Sequence, residues 1–361
     1  RKTQYDQIYQ QIKSADETLT KHFGKKDYTQ KEVAAIKTED QTLSQAVQIA
    51  NFMYSNGVET MSDALADINS SLESINDRLN YHLNKDFKGR VNGDDPNTMN
   101  TKFYGDGNVK PVKKSESHGT HVAGIIAAER NNGKGANGVA NNVEIMSIRA
   151  VPNGDEYDKD VALAIRYAVD NGAKVINGSF GKSFSPHSEW VRDAIAYAAQ
   201  KDVVFVHAAG NDSKDVDTKP NFPDDNIDGK EISDTYIRVG ALYPKYGSSM
   251  VASFSNYGKQ NVDVFAPGAE VYSTTPENEY DTKGGTSMAA PGVAGIAALI
   301  RSYYPKLSAA QVKKVIMDSG LALKTKVIVG GKSGDVRPFS ELSKSGKIVN
   351  AYNALIMASQ L

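Results

Sequence analysis

The sequence predicts an α/β domain with a parallel sheet, preceded by an all-helical segment. Two observations carry this expectation. The first is a change of texture near residue 89: residues 1–88 contain no proline and only Gly24 and Gly57, with Gly89 at the border. The apolar residues there recur at helical steps. The second is that, from about residue 90, short β-rich runs alternate with helical patterns. Runs such as Val203-Val204-Phe205-Val206 are apolar on both faces, as central parallel strands covered by helices are.

In the N-terminal segment a first helix is predicted over about Thr3 to Phe23, carrying Tyr5, Ile8, Ile12 and Leu19. A second runs from Thr29 to Tyr54, with Val33, Ile36, Leu43, Val47 and Ala50 on one side. Thr29 followed by Glu32 has the form of a capping box. A third stretch places Met61, Leu65, Ile68, Leu72, Ile75, Leu79 and Leu83 on one stripe by steps of mostly four and three. Turns at Gly24 and Asn56-Gly57 fold the segment back, so a helical hairpin or small bundle is expected over residues 1–88.

In the second region, 89–361, strands are predicted at Val143–Ala150, Lys174–Ser179, Val203–Ala209, Tyr236–Ala241, Val262–Ala266 and Val271–Thr274. Helices are expected at about Asp158–Asn171 and Glu189–Lys201. Ser308 to Asp318 and Val349 to Ser359 close the domain as helices.

Bulk properties exclude several classes. The 361 residues carry a net charge of −1, so no polybasic surface for nucleic acid or membrane is present. There is no cysteine, which rules out disulfides and thiolate metal sites and suits a bacterial protein that leaves the cell or stays in its envelope. No apolar run approaches the length that spans a bilayer. The sequence opens at Arg1 without Met and reads as a proteolytically processed piece.

Three short strings carry chemistry. His118-Gly119-Thr120-His121-Val122-Ala123-Gly124 enters an apolar helix, Ala208-Ala209-Gly210-Asn211 ends a buried strand, and Gly285-Thr286-Ser287-Met288-Ala289-Ala290-Pro291 opens another helix. Ser287 follows two glycines that permit a tight turn, and Pro291 lies in the first turn, where its missing N–H costs nothing. A serine there sits at the positive end of a helix, with free N–H groups able to stabilise an oxyanion. A serine needs a base to become a nucleophile, and His is the usual one. A serine before a helix is by itself most often a plain N-cap, but a cap does not require the surrounding string. His118 opens its own helix, whereas His121 on the same turn points elsewhere and reads as structural. Asn211 sits at a strand end, where open α/β sheets place ligand-binding groups, and its amide can donate to developing negative charge. His207 reads as a packed core histidine.

Taken together and in this order, the three strings resemble the signatures of the subtilisin-like serine proteases, the subtilases. Phe254-Ser255-Asn256-Tyr257-Gly258 and Val264-Phe265-Ala266-Pro267-Gly268 resemble the segment before that family's serine motif, and Asn177-Gly178-Ser179-Phe180-Gly181 resembles its pocket-lining strand. The resemblance runs from about residue 111 to the C-terminus. It implies a doubly wound parallel sheet of subtilisin type and hydrolysis of peptide bonds in peptide or protein substrates through an acyl-enzyme. Carried over, Ser287 is the nucleophile, His118 the general base, and Asn211 with the Ser287 N–H the oxyanion hole. Ser179, Phe180 and Gly181, with Ala208, Ala209 and Gly210, are the walls of the pocket for the residue before the scissile bond. No cofactor is required. Calcium is admitted by the family and by oxygen-rich loops at Gly93-Asp94-Asp95 and Asp224-Asp225, although neither has a calcium-loop spacing.

One element of the family pattern is missing. Its triad aspartate ends a buried first strand ahead of the histidine, and no apolar strand before His118 leads to such a residue. Asp94 and Asp95 lie in a polar loop and Asp106 between glycines. Val315-Ile316-Met317-Asp318-Ser319-Gly320 spells the motif but follows the serine and has helical period. The expectation is therefore a serine endopeptidase whose domain lacks its first strand and takes its triad acid from an upstream or separate segment. The alternative is a catalytically inactive relative that holds peptides in the cleft; retention of His118, Asn211 and Ser287 together argues against it. Asp212, Asp215 and Asp217 follow Asn211 and read first as a solvated acidic loop.

Overall fold

The computed structural model describes residues 2–26, 28–55, 58, 60–87, 89–90, 92–99, 104–151, 153–154 and 156–361. Two compact units are distinguished, one comprising 1–90 with 153–155 and the other 91–152 with 156–361.

The first unit is helical. Helices α1 (Lys2–Phe23), α2 (Gln30–Ala34), α3 (Gln41–Ser55) and α4 (Met61–Asp77) bury Ile12, Leu19, Val33, Ala50, Met61 and Ala64 in one core. The expected capping box at Thr29 and Glu32 is present. The single helix expected over 29–54 is instead two. Asp40 takes over as a new helix start: its carboxylate accepts from the Leu43 N–H at 2.9 Å, a local bond that competes with continuation of the helix. The stripe on α4 is also shorter than its spacing suggests. Leu72 is buried, but Leu79 and Leu83 are 44% and 62% exposed. The wider π-helical turn Arg78–His82 changes the angular step and swings those residues off the apolar face. The turn expected at Asn56-Gly57 lies outside the described residues.

The second unit begins its regular structure with α5 (His118–Ala127) and α6 (Asp158–Asp170), followed by β1 (Val175–Gly178), α7 (Ser188–Gln200) and β2 (Val204–Ala208). Two short strands, β3 (Asn226–Ile227) and β4 (Lys230–Glu231), precede β5 (Tyr236–Leu242), β6 (Val264–Pro267), β7 (Val271–Thr275) and β8 (Glu279–Lys283). Helices α8 (Thr286–Tyr303) and α9 (Ala309–Ser319) come next, then β9 (Leu321–Ala322), β10 (Lys326–Val329), β11 (Lys332–Pro338), β12 (Lys347–Ile348) and α10 (Ala351–Ala358). The main sheet has the order β1-β2-β5-β6-β12-β9. All its pairings are parallel except β12 with β9. Helices cover both faces. Val204, Val206 and Ala208 face α8 and α9 residues such as Val293 and Val312, while Phe205 packs with Val161, Ile165 and Ile195 of α6 and α7. This is the doubly wound arrangement that strands apolar on both faces require.

Two predicted strands behave differently. Val271–Thr275 forms an antiparallel hairpin with β8, outside the main sheet. Residues 143–150 make no ladder with any described strand, and Ile145, Met146 and Ile148 are 46%, 42% and 36% exposed. The apolar pattern suits a strand, but among the described residues nothing supplies the pairing groups. Among the described residues β1 is an edge of the main sheet, with only β2 beside it.

A buried charged cluster lies under β4 and α9. Asp225, Asp263 and Lys313 are 6%, 3% and 7% exposed, and Lys313 Nζ lies 3.4 Å from Asp263 Oδ1 and 3.6 Å from Glu231 Oε2. Asp225 Oδ2 takes no hydrogen bond among the described residues. Burial, opposed by Lys313, pushes its carboxyl up to about 7. Between the ordinary value and 7 the folded protein keeps a proton that the unfolded chain has released, so stability falls as pH rises through that window. Asp225→Asn removes the titration. It is expected to stabilise the protein at pH 8 by up to about 4 kcal/mol and to change little near pH 4. Urea melts of both proteins at the two pH values check this; a gap that does not widen with pH contradicts it.

Candidate active site

Three chain segments meet at the start of α8. Gly210 has φ +102°, a conformation open to glycine, and it turns the chain after β2 so that Asn211 reaches Thr286. Asn211 Oδ1 accepts from the Thr286 N–H at 2.8 Å and from its hydroxyl at 3.0 Å. Thr286 Oγ1 in turn accepts from the Gly210 N–H at 3.0 Å. With its oxygen anchored, Asn211 leaves Nδ2 without a partner among the described residues, on an exposed side chain. The Ser287 N–H, second in the helix, likewise meets no carbonyl, as first-turn N–H groups do. Ser287 is half-buried and exchanges bonds with Ser179: its hydroxyl donates to the Ser179 carbonyl at 3.3 Å, and Ser179 Oγ donates to the Ser287 carbonyl at 2.8 Å. Asn177 Nδ2 donates to Ser179 Oγ at 2.9 Å, so β1 orients the nucleophile's neighbour.

His118 is the first residue of α5 and is exposed. It makes no hydrogen bond or ion pair with any described residue, Ser287 included. It lies one turn from Val122, which packs on Met288, the residue after Ser287. The protein around the ring removes enough water to lower its pKa, and the nearby His121 and Lys283 act in the same direction. The imidazole is therefore neutral at neutral pH, the state a general base needs. Helix α5 is seated on β7 by two hydroxyls, Ser273 Oγ on the His121 carbonyl and Thr274 Oγ1 on the Thr120 carbonyl, both at 2.9 Å. Gly124 sits directly against these two side chains, leaving no space for a Cβ. His121 is fully buried, with Nε2 on the Asp281 carbonyl at 3.0 Å.

None of the aspartates weighed from the sequence bonds to His118. Asp94 pairs with the buried Lys159 at 2.7 Å, Asp95 accepts from the Thr98 hydroxyl at 2.6 Å, Asp106 accepts from the Asn108 N–H at 2.9 Å, and Asp318 pairs with Lys314 on its own helix. Asp224 is held by Arg192 at 2.7 Å. One acid of each loop weighed for calcium is thus spent on a cation of the chain, Asp94 on Lys159 and Asp224 on Arg192. Among the described residues no group of three His, Asp or Glu side chains could hold a metal ion. Asp217 accepts from the Gln260 and Asn261 N–H groups at 2.9 and 2.8 Å, so one of the acids after Asn211 ties its loop to the segment at 260–261.

The two segments named as pocket walls enclose a residue that sequence reading passed over. Asn221 is 4% exposed and donates from Nδ2 to the Ala209 carbonyl at 3.1 Å. A methyl built on Gly181 would lie 3.5 Å from Asn221 Nδ2, and one on Gly210 3.2 Å from its Oδ1. Asn221 therefore fills the space between the two walls. Glu156, also unforeseen, accepts from the Gly181 N–H at 3.0 Å. Neither has a local sequence signal, because each reaches the site through tertiary packing.

The model of the subtilase family matches residues 46–339. The chain belongs to the subtilase family. The match starts within α3, well ahead of residue 111, where the recognisable strings begin. A thermophilic serine proteinase of Bacillus sp. (strain AK1) is 44% identical over 187 residues, covering 52% of this subtilase and 43% of the relative. Thermitase of Thermoactinomyces vulgaris is 39% identical over 196 residues, covering 54% and 64%. The subtilase thus spans less than two thirds of either relative's length. A protease structure from Pseudoalteromonas arctica superposes with a TM-score of 0.53 at 32% identity, covering 67% of this chain and 70% of the other. The sheet described above is accordingly the subtilase sheet.

Proposed function

We propose that this subtilase hydrolyses peptide bonds through an acyl-enzyme on Ser287, with His118 as general base and Asn211 Nδ2 and the Ser287 N–H binding the oxyanion. The observation that carries the reading is the joint at Thr286. It fixes the Asn211 oxygen and leaves one amide donor and one helix N-terminal donor at the same helix end as the serine hydroxyl, the arrangement an oxyanion hole requires. In catalysis the Ser287 hydroxyl leaves the Ser179 carbonyl, and His118 takes its proton as Oγ attacks the scissile carbonyl. The C–N bond then breaks as His118 gives that proton to the departing amine, leaving the acyl-enzyme. Water, activated by the same histidine, attacks the ester, and the proton returns to Ser287 Oγ as the acid product leaves. Ser179, Phe180, Gly181 and Ala208, Ala209, Gly210 hold the side chain before the scissile bond, with Asn221 closing the space between them.

The triad carboxylate, in this reading, comes from a companion segment that docks as a parallel strand on the free edge of β1. Its support is the edge itself, the unpaired apolar run 143–150, and the absence of any described acid bonded to His118. Docking would supply the pairing groups that 143–150 lacks and cover Ile145, Met146 and Ile148. The cysteine-free composition favours action outside the cell or in its envelope; among the described residues no helix is long and apolar enough to cross a membrane.

A fluorophosphonate should label the complete protein at Ser287, and Ser287→Ala should abolish the label; peptide mapping by mass spectrometry checks both. Labelling at another serine, or none in the intact assembly, would overturn the assignment and favour a peptide-holding cleft without catalysis.

A further inference from the structure

Behind the pocket walls lies a buried polar cluster that the reaction does not use. His207, Tyr236 and Arg238 are 0%, 1% and 3% exposed, on the adjacent strands β2 and β5, where Phe205 pairs with Tyr236 and His207 with Arg238. Their polar atoms converge on carbonyls of the wall segment 179–181 and of segment 221–223, which begins with Asn221. His207 Nε2 lies 2.7 Å from the Phe180 carbonyl and Nδ1 lies 2.9 Å from Tyr236 Oη. Tyr236 Oη is 2.9 Å from the Pro223 carbonyl. Arg238 Nη2 donates to the Pro223 carbonyl at 2.8 Å and to the Asn221 carbonyl at 3.2 Å. The same two segments are joined by a backbone bridge, the Lys182 N–H donating to the Phe222 carbonyl at 2.9 Å and the reverse at 2.8 Å.

The proton assignment follows from the acceptors. A carbonyl can only accept, so Nε2 carries the hydrogen and Nδ1 is the acceptor. Complete burial, with the Arg238 charge beside it, drives the imidazole pKa down to about 3, so the ring is neutral and has that single N–H to give. The Tyr236 hydroxyl then shares its one hydrogen between Nδ1 and the Pro223 carbonyl, and Arg238 donates to the Pro223 and Asn221 carbonyls as well. Every member has a partner, the condition under which a buried polar network rigidifies rather than weakens its surroundings. An apolar side chain at 207 would fill the same space but leave the Phe180 carbonyl buried and unpaired.

We propose that His207, Tyr236 and Arg238 are positioning residues that lock segment 179–181 against segment 221–223 and so set the grip of the pocket on the side chain before the scissile bond. This rests on the reading of the site as a protease site. None of the three touches the reacting atoms, so the effect belongs to substrate binding rather than to the chemical step.

The test compares His207→Leu, His207→Gln and Tyr236→Phe in the complete protein, using a panel of tetrapeptide nitroanilides and the rate of Ser287 labelling by a small alkyl fluorophosphonate. His207→Leu is expected to lower kcat/KM roughly 10- to 100-fold, expressed in KM, with labelling within about threefold of the parent because the small reagent does not fill the pocket. His207→Gln, which keeps an N–H donor, should recover most of the loss. Tyr236→Phe, which removes one oxygen only, should raise KM in the same direction with its fold intact by circular dichroism. Equal losses in KM-dependent cleavage and in labelling, no recovery with Gln, or an unchanged KM in Tyr236→Phe would each overturn the proposal. Failure of the parent itself to be labelled would instead overturn the protease reading; the proposal is then judged by calorimetric binding of a tetrapeptide carboxylate, which His207→Leu and Tyr236→Phe should weaken and His207→Gln should retain.

Discussion

Supplying the companion segment to residues 1–361 should raise the rate of peptide hydrolysis by about 10⁴, the cost of losing the aspartate function from a serine-protease triad. The reason is local to His118. Its ring is neutral but carries no orienting partner among the described residues, so neither tautomer nor plane is fixed. A carboxylate on the ring nitrogen turned away from Ser287 would fix both and stabilise the imidazolium formed in the transition state. It would also raise the His118 pKa, now lowered by desolvation and by His121 and Lys283. The acid limb of the kcat/KM–pH profile should therefore move to higher pH when the segment is bound, even as the plateau rises. The experiment is to assay residues 1–361 with a peptide library, alone and with the segment. Full activity from the chain alone would refute the idea, as would a segment that binds without moving the acid limb. Asp94, Asp95 and Asp318 are poor substitutes in any case, being tied to Lys159, Thr98 and Lys314.

Asn211→Leu should lower kcat by about 10²–10³ and leave KM nearly unchanged, the loss that follows removal of this donor from a subtilisin, a relative of this chain. The structure explains why the loss should fall on kcat. Asn211 Oδ1 is spent on Thr286, and Nδ2 is the atom left over, so its bond is made to charge that appears only during the reaction. Leucine also strips the Thr286 N–H and hydroxyl of their acceptor, which makes Asn211→Asp the useful companion variant. Aspartate keeps the acceptor but offers no N–H and adds a negative charge where the oxyanion forms. It should fall at least as far as leucine. A change confined to KM in both variants would make Asn211 a substrate-binding residue instead.

The parts of this chain that read well from sequence are those governed by short-range rules. The two-sided apolar runs at 203–206 and 236–241 became central strands, and Ser308 became a helix cap with Gln311, as its period required. The cluster of Ser287, Asn211 and Ser179 was legible because glycines and helix starts flank each one. Elements governed by partners read less well. Residues 143–150 have a strand's pattern but no pairing groups among the described residues, and 29–54 has a helix's pattern but an aspartate that caps a second start. Asn221 and Glu156 carried no signal, since only packing brings them to the pocket. His207 looked like an ordinary core residue, and its burial agrees; that both its nitrogens are spent on the pocket's scaffolding is a property of β2 and β5 lying in register.

The seam at Gly124 bears on which genetic changes this subtilase can absorb. In an exposed helix, exchanging glycine for alanine is among the safest single-base changes, usually gaining about 1 kcal/mol. On α5 the added carbon has nowhere to go except into Ser273 and Thr274, and those two hydroxyls are what moor the helix that begins with His118. The change would push that helix off β7 and shift the proposed base His118 relative to Ser287, and it would lower the melting temperature too, since overpacking a filled contact costs about 1–3 kcal/mol. Drift at position 124 is therefore limited by how α5 seats on β7, although the residue itself is none of the groups proposed for catalysis.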